Sequence, residues 1–231
     1  MWRRFDVRLL VIILIITSSL ALTLTLYNGY QTSSALQELA TSSYQQLAQV
    51  EASKIRDLLL NRRLDVLFVS QAASLRRFAN APNPHLSTEI VTQYLMSYLR
   101  LNRDRYSAAC LLDDTGYELV CVDNVDGQLA IIPSNQLESR QEAPYFINAL
   151  TTFSVTGAGV PVYISPPLIH TRNDHSERAA LVMSTRLQSD TGLTVGVITL
   201  EMSLDNIDKL LFNDMNVRSF LVDNEGRYVL T

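Results

Sequence analysis

Apolar and polar positions follow three different rhythms along the chain. From Leu9 to Tyr27 ("LLVIILIITSSLALTLTLY") nineteen consecutive residues carry no charge. As a helix they would be about 28 Å long, close to the roughly 30 Å hydrocarbon layer of a bilayer, and the pattern predicts a transmembrane helix over 9–27. From Gln31 to Ala79 neither Pro nor Gly occurs, and Leu36, Leu39, Leu47, Val50, Ile55, Leu58, Leu59, Leu64 and Leu67 recur at mostly three- and four-residue intervals. That period belongs to an amphipathic helix. At about 1.5 Å per residue it would reach roughly 70 Å, more than a compact core uses, so it reads as a stalk pairing with a partner helix, or as two helices with an ordinary break.

Past "ANAPNPH", where Pro82 and Pro84 end the helical pattern, the period shortens. Ser87 is placed to cap a helix carrying Ile90, Val91, Tyr94, Leu95, Tyr98 and Leu99 on one face. "CLLDDTGYELV", Cys110 to Val120, reads as a hairpin: an Asp opens the turn by accepting backbone N–H groups and a Gly three residues later takes positive φ. "APYFINAL" suits a short helix with Pro144 in its first turn. Strands are expected over Val160 to Ser165, Arg178 to Leu187 and Leu193 to Met202, and Ser203 is placed to cap a short helix through Ile207, Leu210 and Leu211. The order is that of an α+β domain with a five-stranded antiparallel sheet and flanking helices.

The hairpin pattern returns as "FLVDNEGRYVL", Phe220 to Leu230, at a constant offset of 110 residues: Leu111 matches Leu221, Asp113 matches Asp223 and Gly116 matches Gly226. Two copies about a domain length apart suggest the start of a second module.

Charge orients the chain. Arg3, Arg4 and Arg8 precede the apolar run against a single acid, Asp6, and the next charge is Glu38. The positive-inside tendency places residues 1–8 in the cytoplasm and the body outside. A cleaved signal peptide, with Ser19-Leu20-Ala21 as the cleavage site, would also leave the body outside. The net charge of −4 and the scattered basic residues give no footprint for nucleic acid. Two cysteines, Cys110 and Cys121, stand on opposite strands of the first hairpin. A two-residue loop would set them face to face; the three-residue loop favoured by D-x-x-G would set Cys121 opposite Ala109 and leave two free thiols.

No nucleophile, phosphate-loop or metalloprotease pattern is present, so no enzyme activity is expected within 231 residues; any catalytic output would lie beyond. No cofactor or metal is expected either. His170 and His175, with Asp174 and Glu177, read as loop polarity, and His85 as a surface residue.

In element order, and in "LLDDTGYELV", "APYFINAL", "VYISPP", "GVITLEMSLDNIDKLL" and the restart at "FLVDNEGRYVL", the chain resembles double Cache (dCache) sensors, PAS-like extracytoplasmic domains of bacterial transmembrane signal transducers. The likeness covers residues 30 to 231. It implies a stalk helix over 28–79, a membrane-distal module over 80–212 and the start of a truncated second module over 213–231. It also implies a small-molecule ligand, an output as chemoreceptor, histidine kinase or cyclic-dinucleotide enzyme, and a homodimer through the long helix. Amino-acid-binding members carry an Arg-x-Trp-Tyr run at the short helix. Here the run reads Ala143-Pro144-Tyr145-Phe146, with Arg140 as an approximate substitute for the Arg. Tyr163 and Glu201 match the aromatic and the acid that face the cleft. An acid with aromatic neighbours favours an amine-bearing ligand. The competing reading is a membrane-anchored scaffold whose pocket is filled by its own side chains.

Overall fold

The computed structural model describes residues 2–81, 88–125, 127–151, 161–171, 177–205, 221–222 and 228–230. Two units result, Met1–Lys54 and Ile55–Thr231. The first belongs to α1 (Trp2–Ser70), a helix long and apolar enough to cross a membrane. Its apolar side chains from Ile12 to Leu26 are all exposed. The hydroxyls of Thr17 and Thr25 inside that run donate to the carbonyls of Ile13 and Ala21. The helix backbone thus satisfies the polar atoms that hydrocarbon would otherwise strand.

In the second unit the helix predicted to reach Ala79 stops at Ser70. Ala72 is extended (φ −60°, ψ 143°), and a separate α2 covers Ala73–Ala79. After it come α3 (Thr88–Leu101), β1 (Ala108–Asp113), β2 (Glu118–Val125), β3 (Gln128–Ile131), α4 (Pro144–Thr151), β4 (Val162–Ile164), β5 (Leu168–Thr171), β6 (Glu177–Gln188) and β7 (Thr194–Ser203). The sheet is antiparallel in the order β3-β2-β1-β7-β6-β4, with β5 also on β6. The five predicted strands are all there, and β3 and β5 extend them to seven; both are four residues long, too short for a periodic signal. Ser203 accepts a hydrogen bond from the Asp205 amide, as a cap should. Ser87, Ile207, Leu210 and Leu211 lie outside the described residues.

Cross-strand partners share a face, so the register sorts the sheet into two surfaces. On one lie Ala109, Leu111, Val120, Val122, Met183, Leu187, Ile198, Leu200 and Met202, packed with Val66, Val69, Leu75, Phe78, Leu95 and Leu99. This is the main core. The other surface carries Cys110, Leu112, Cys121, Val182 and Val197 under Tyr145, Phe146 and Ala149 of α4.

Both hairpin readings fail in part. The Asp113 carboxylate accepts from the amides of Thr115 and Tyr117, both at 2.9 Å, and Gly116 has φ +89°. The three-residue loop is therefore present, with Leu112 opposite Glu118. A bulge at Leu119 then shifts the register, so Leu111 pairs with Val120 and Cys110 with Cys121. The cysteines are joined as a disulfide, not free thiols. The bulge has a burial cause: without it Val120 and Val122 would leave the main core and Asp123 would enter it.

One polar network crosses the main core. Tyr106 donates to Asp65 at 2.5 Å, and Arg62 donates to the same carboxylate oxygen at 2.8 Å. The Arg62 guanidinium lies 5.8 Å from the Tyr106 ring centroid, and the Tyr98 ring is 6.0 Å beyond. The network ties the last turns of α1 to α3 and to the connection between α3 and β1. Burial, reinforced by Asp65, raises the ionisation of both Tyr98 and Tyr106 far above the ordinary tyrosine range.

That shift has a definite sign. Below about pH 10 both phenols are neutral folded or unfolded, and their contribution to stability is complete. Above it the unfolded chain ionises and the folded one does not, so fully buried Tyr106 alone should remove up to about 1.4 kcal/mol of stability per pH unit. Absorbance titration of the folded protein should leave at least Tyr98 and Tyr106 silent among the ten tyrosines, and the urea midpoint should fall steadily in alkali. Tyr106→Phe should flatten that fall; ten tyrosines titrating together would contradict the network.

Candidate functional site

The two sheet surfaces differ in chemistry as well as in cover. On β7 the main-core side chains are Ile198, Leu200 and Met202, whereas the α4-facing ones are Val197, Thr199 and Glu201. Three rows cross the α4-facing surface. The first is Asp123, Ala108, Glu201, Val182; the second is Cys121, Cys110, Thr199, Ser184, Tyr163; the third is Glu118, Leu112, Val197, Arg186. Asp123, Ser184, Thr199, Glu118 and Glu201 are all at least nine-tenths buried. A surface that served packing alone would hold aliphatic side chains at these positions.

Local bonds hold this polar floor and its cover together. Ser107 reaches Glu201 Oε1 at 3.3 Å. Thr199 donates to the Cys110 carbonyl at 3.3 Å, and Ser184 to the Tyr145 carbonyl at 2.7 Å, which pins the first turn of α4 to the sheet. Tyr163 sits in the same row as Ser184. Tyr145, Phe146 and Tyr163 thus gather over the surface that carries Glu201. Both Tyr145 and Phe146 are 5% exposed, deeper than a rim position.

Arg140 stands at the third row of this surface, where Glu118 is. Its Nε donates to Glu118 at 3.0 Å and its Nη2 to Glu138 at 2.9 Å. Its amide donates to the Gly116 carbonyl at 2.7 Å, and the Glu138 amide to Glu118 at 3.1 Å. Burial works to lower the Arg140 pKa, but the hydrogen bond and charge of Glu118 outweigh it and hold the guanidinium protonated. Glu118 and Glu201 lie two rows apart, about 13 Å along a strand at roughly 3.3 Å per residue. The guanidinium is thus engaged two rows away from Glu201.

Gly116 is fitted into this clamp. A Cβ there would come 2.7 Å from Gln141 Cα and 3.0 Å from the Phe146 ring, so only glycine lets the hairpin loop dock under the approach to α4. Sequence reading missed Asp123, Thr199, Ser184 and Glu118. Their signal is the interruption of strand hydrophobicity on one parity, visible only once the register is known.

The sulfurs of Cys110 and Cys121 and the Glu118 carboxylate lie within 4.8 Å of one another, but the sulfurs are bonded to each other and Glu118 is engaged by Arg140. Most of the loop carrying His175, and all of His85, lie outside the described residues.

No family model matches the sequence, and no curated protein matches it. Solved structures do. The chain is similar to a domain of a sensory box/GGDEF family protein from Vibrio parahaemolyticus, with TM-score 0.63 and 18% identity over 83% of this chain and 71% of that one. The ligand-binding domain of the Campylobacter jejuni chemoreceptor Tlp3, in complex with L-valine, aligns with TM-score 0.58 and 15% identity over 78% and 66% of the two chains. That of the Pseudomonas fluorescens chemoreceptor CtaA, in complex with L-serine, aligns with TM-score 0.53 and 18% identity over 79% and 68%. The chain shares the fold of these sensory and ligand-binding domains.

The clamp is testable through stability. Arg140→Ala leaves the buried Glu118 carboxylate without a countercharge, at an expected cost of about 2–3 kcal/mol in urea unfolding. Arg140→Lys keeps the charge and loses the fork, so it should recover part of that loss. A change within about 0.5 kcal/mol for Arg140→Ala would reduce the clamp to an ordinary surface contact.

Proposed function

We propose that residues 80–212 form the membrane-distal sensing module of a bacterial membrane signal transducer, such as a chemoreceptor, histidine kinase or cyclic-dinucleotide enzyme. It takes a small amine-bearing molecule between the sheet and α4. The observation that carries this reading is the polarity of the α4-facing surface. Glu201 is buried on a central strand, in a row that also holds Asp123, with Tyr145, Phe146 and Tyr163 gathered over the same face. A carboxylate with aromatic faces suits a cation. Because Arg140 is committed to two carboxylates, a plain amine fits better than an α-amino acid.

The repeated hairpin supports a second module over 213–231. In β8 (Leu221–Val222) and β9 (Tyr228–Leu230), Leu221 pairs with Leu230 and Val222 with Tyr228, with a register shift between them. This is the first hairpin's pairing, bulge included, displaced by 110 residues. Residues 9–27 then anchor the module with the N-terminus cytoplasmic, residues 28–79 form the stalk and pair it with a second copy, and ligand binding selects among arrangements of sheet and stalk.

The scaffold reading draws on one observation of its own. Tyr145 and Phe146 are packed as core side chains, as in a pocket filled from within.

A thermal-shift screen of the full chain in detergent separates the two. A specific amine at about one hundred times its dissociation constant should stabilise by roughly 2.7 kcal/mol, and Glu201→Ala should abolish the shift. Hits confined to simple carboxylates, or amine hits that survive Glu201→Ala, would remove the amine reading. Absence of any hit across amines, amino acids and carboxylates would favour the scaffold.

Membrane orientation is checked separately. A reporter active only in the periplasm should work when fused after Thr231 and be silent when fused before Leu9; the opposite pattern would invert the topology.

A further inference from the structure

The disulfide lies on the polar, α4-facing surface and not in the larger helix-packed core. Cys110 and Cys121 are directly opposed on β1 and β2, with Cα atoms 4.1 Å apart. Both strands are held at that separation by their own ladder, by the Asp113 loop and, for β1, by pairing along its whole length with β7. The sulfurs share one packed layer with Tyr145, Phe146, Ala149, Ile132 and Leu137. Cys110 is 6% exposed and Cys121 1%.

Bonded sulfurs sit inside each other's van der Waals envelope, and thiols cannot. Reduction therefore adds volume beneath Tyr145, Phe146 and Ala149, which are packed as core side chains. The sheet cannot yield, because its strands are paired on both sides. The cover can: α4 is eight residues long and is fixed to the sheet through Ser184 and the Arg140 clamp.

We propose that the Cys110–Cys121 pair is a redox-sensitive switch whose state sets how closely α4 sits on the sheet. The reductant is an external dithiol. One of its thiolates attacks the sulfur of Cys110, the more exposed residue of the two; the protein S–S bond breaks, and its electron pair leaves on Cys121, which takes a proton from water. The second reagent thiol then displaces Cys110, giving two protein thiols and one reagent disulfide. With the thiols apart, the Ile132, Leu137 and Phe146 layer rises and carries Tyr145 with it. The bond thus keeps the aromatic cover seated, and its loss loosens that cover without unfolding the sheet. This is independent of what the module binds.

The test uses the full chain in detergent with dithiothreitol and no denaturant. Thiol titration should release two thiols per chain. Hydrogen exchange of amides in 137–151 should then accelerate at least tenfold, while amides of α3 stay as slow as before, and reoxidation should restore both. The pair Cys110→Ala with Cys121→Ala removes the bond but not the room, so its α4 exchange should stay near that of the oxidised protein and ignore dithiothreitol. The proposal is overturned if the bond resists dithiothreitol until the protein unfolds, or if thiol release leaves 137–151 unchanged. It is equally overturned if the folded alanine pair loosens as much as the reduced protein; should that pair not fold, the exchange measured on the reduced protein decides.

Discussion

A strand covered on both sides has no solvent face on which to discard a polar side chain. β7 is such a strand, buried from Gly196 to Met202 with β1 on one edge and β6 on the other. Every side chain it carries must be justified by what lies above or below it. On one side the answer is hydrophobic: Ile198, Leu200 and Met202 meet the helices and supply the main driving force for folding. On the other, Thr199 and Glu201 must find hydrogen bonds, and the neighbouring strands answer with Ser107 and the Cys110 carbonyl. The chemistry of the candidate site is thus the complement of the core, built on the same backbone with the opposite parity.

The cover of that surface is held by few attachments, and each has a distinct physical origin. Ser184 binds a carbonyl in the first turn of α4, Arg140 gathers two carboxylates before the helix begins, and Gly116 lets the hairpin loop approach within contact of Phe146. By contrast, the helix-covered surface is secured by a continuous apolar layer and by the Arg62–Asp65–Tyr106 network. One side of the sheet is held by the larger apolar layer; the other combines a smaller apolar layer with individual bonds.

Much of this was legible from residue patterns, and the limits have identifiable causes. The apolar run over 9–27, the hairpin at Asp113 to Gly116 and the strand at Leu193 to Met202 are local signals, and local chemistry sufficed to find them. The end of α1 at Ser70 has no such marker, because Gln71 and Ala72 are compatible with a helix and only packing breaks it. The bulge at Leu119 was invisible for the same reason: turn chemistry counted the loop correctly, and the burial of Val120 and Val122 overruled the register it implied. The disulfide followed from the bulge. Of the candidate ligand residues, Tyr145, Phe146, Tyr163 and Glu201 share one surface, and Arg140 is paired with Glu138, two residues away, and with Glu118, which is close to it only in three dimensions.

The bulge is also a change of phase. Upstream of Leu119, even-numbered residues of β2 face α4; downstream, odd-numbered ones do, so Glu118, Cys121 and Asp123 share a side that strict alternation would divide. The pairing of Leu221 with Leu230 and Val222 with Tyr228 carries the same phase change at the same place. What the two hairpins have in common is therefore less a string of similar letters than a shared irregularity. Similar letters arise readily wherever a turn joins two strands. An identical departure from regular pairing, 110 residues on, is a closer likeness than the letters alone provide.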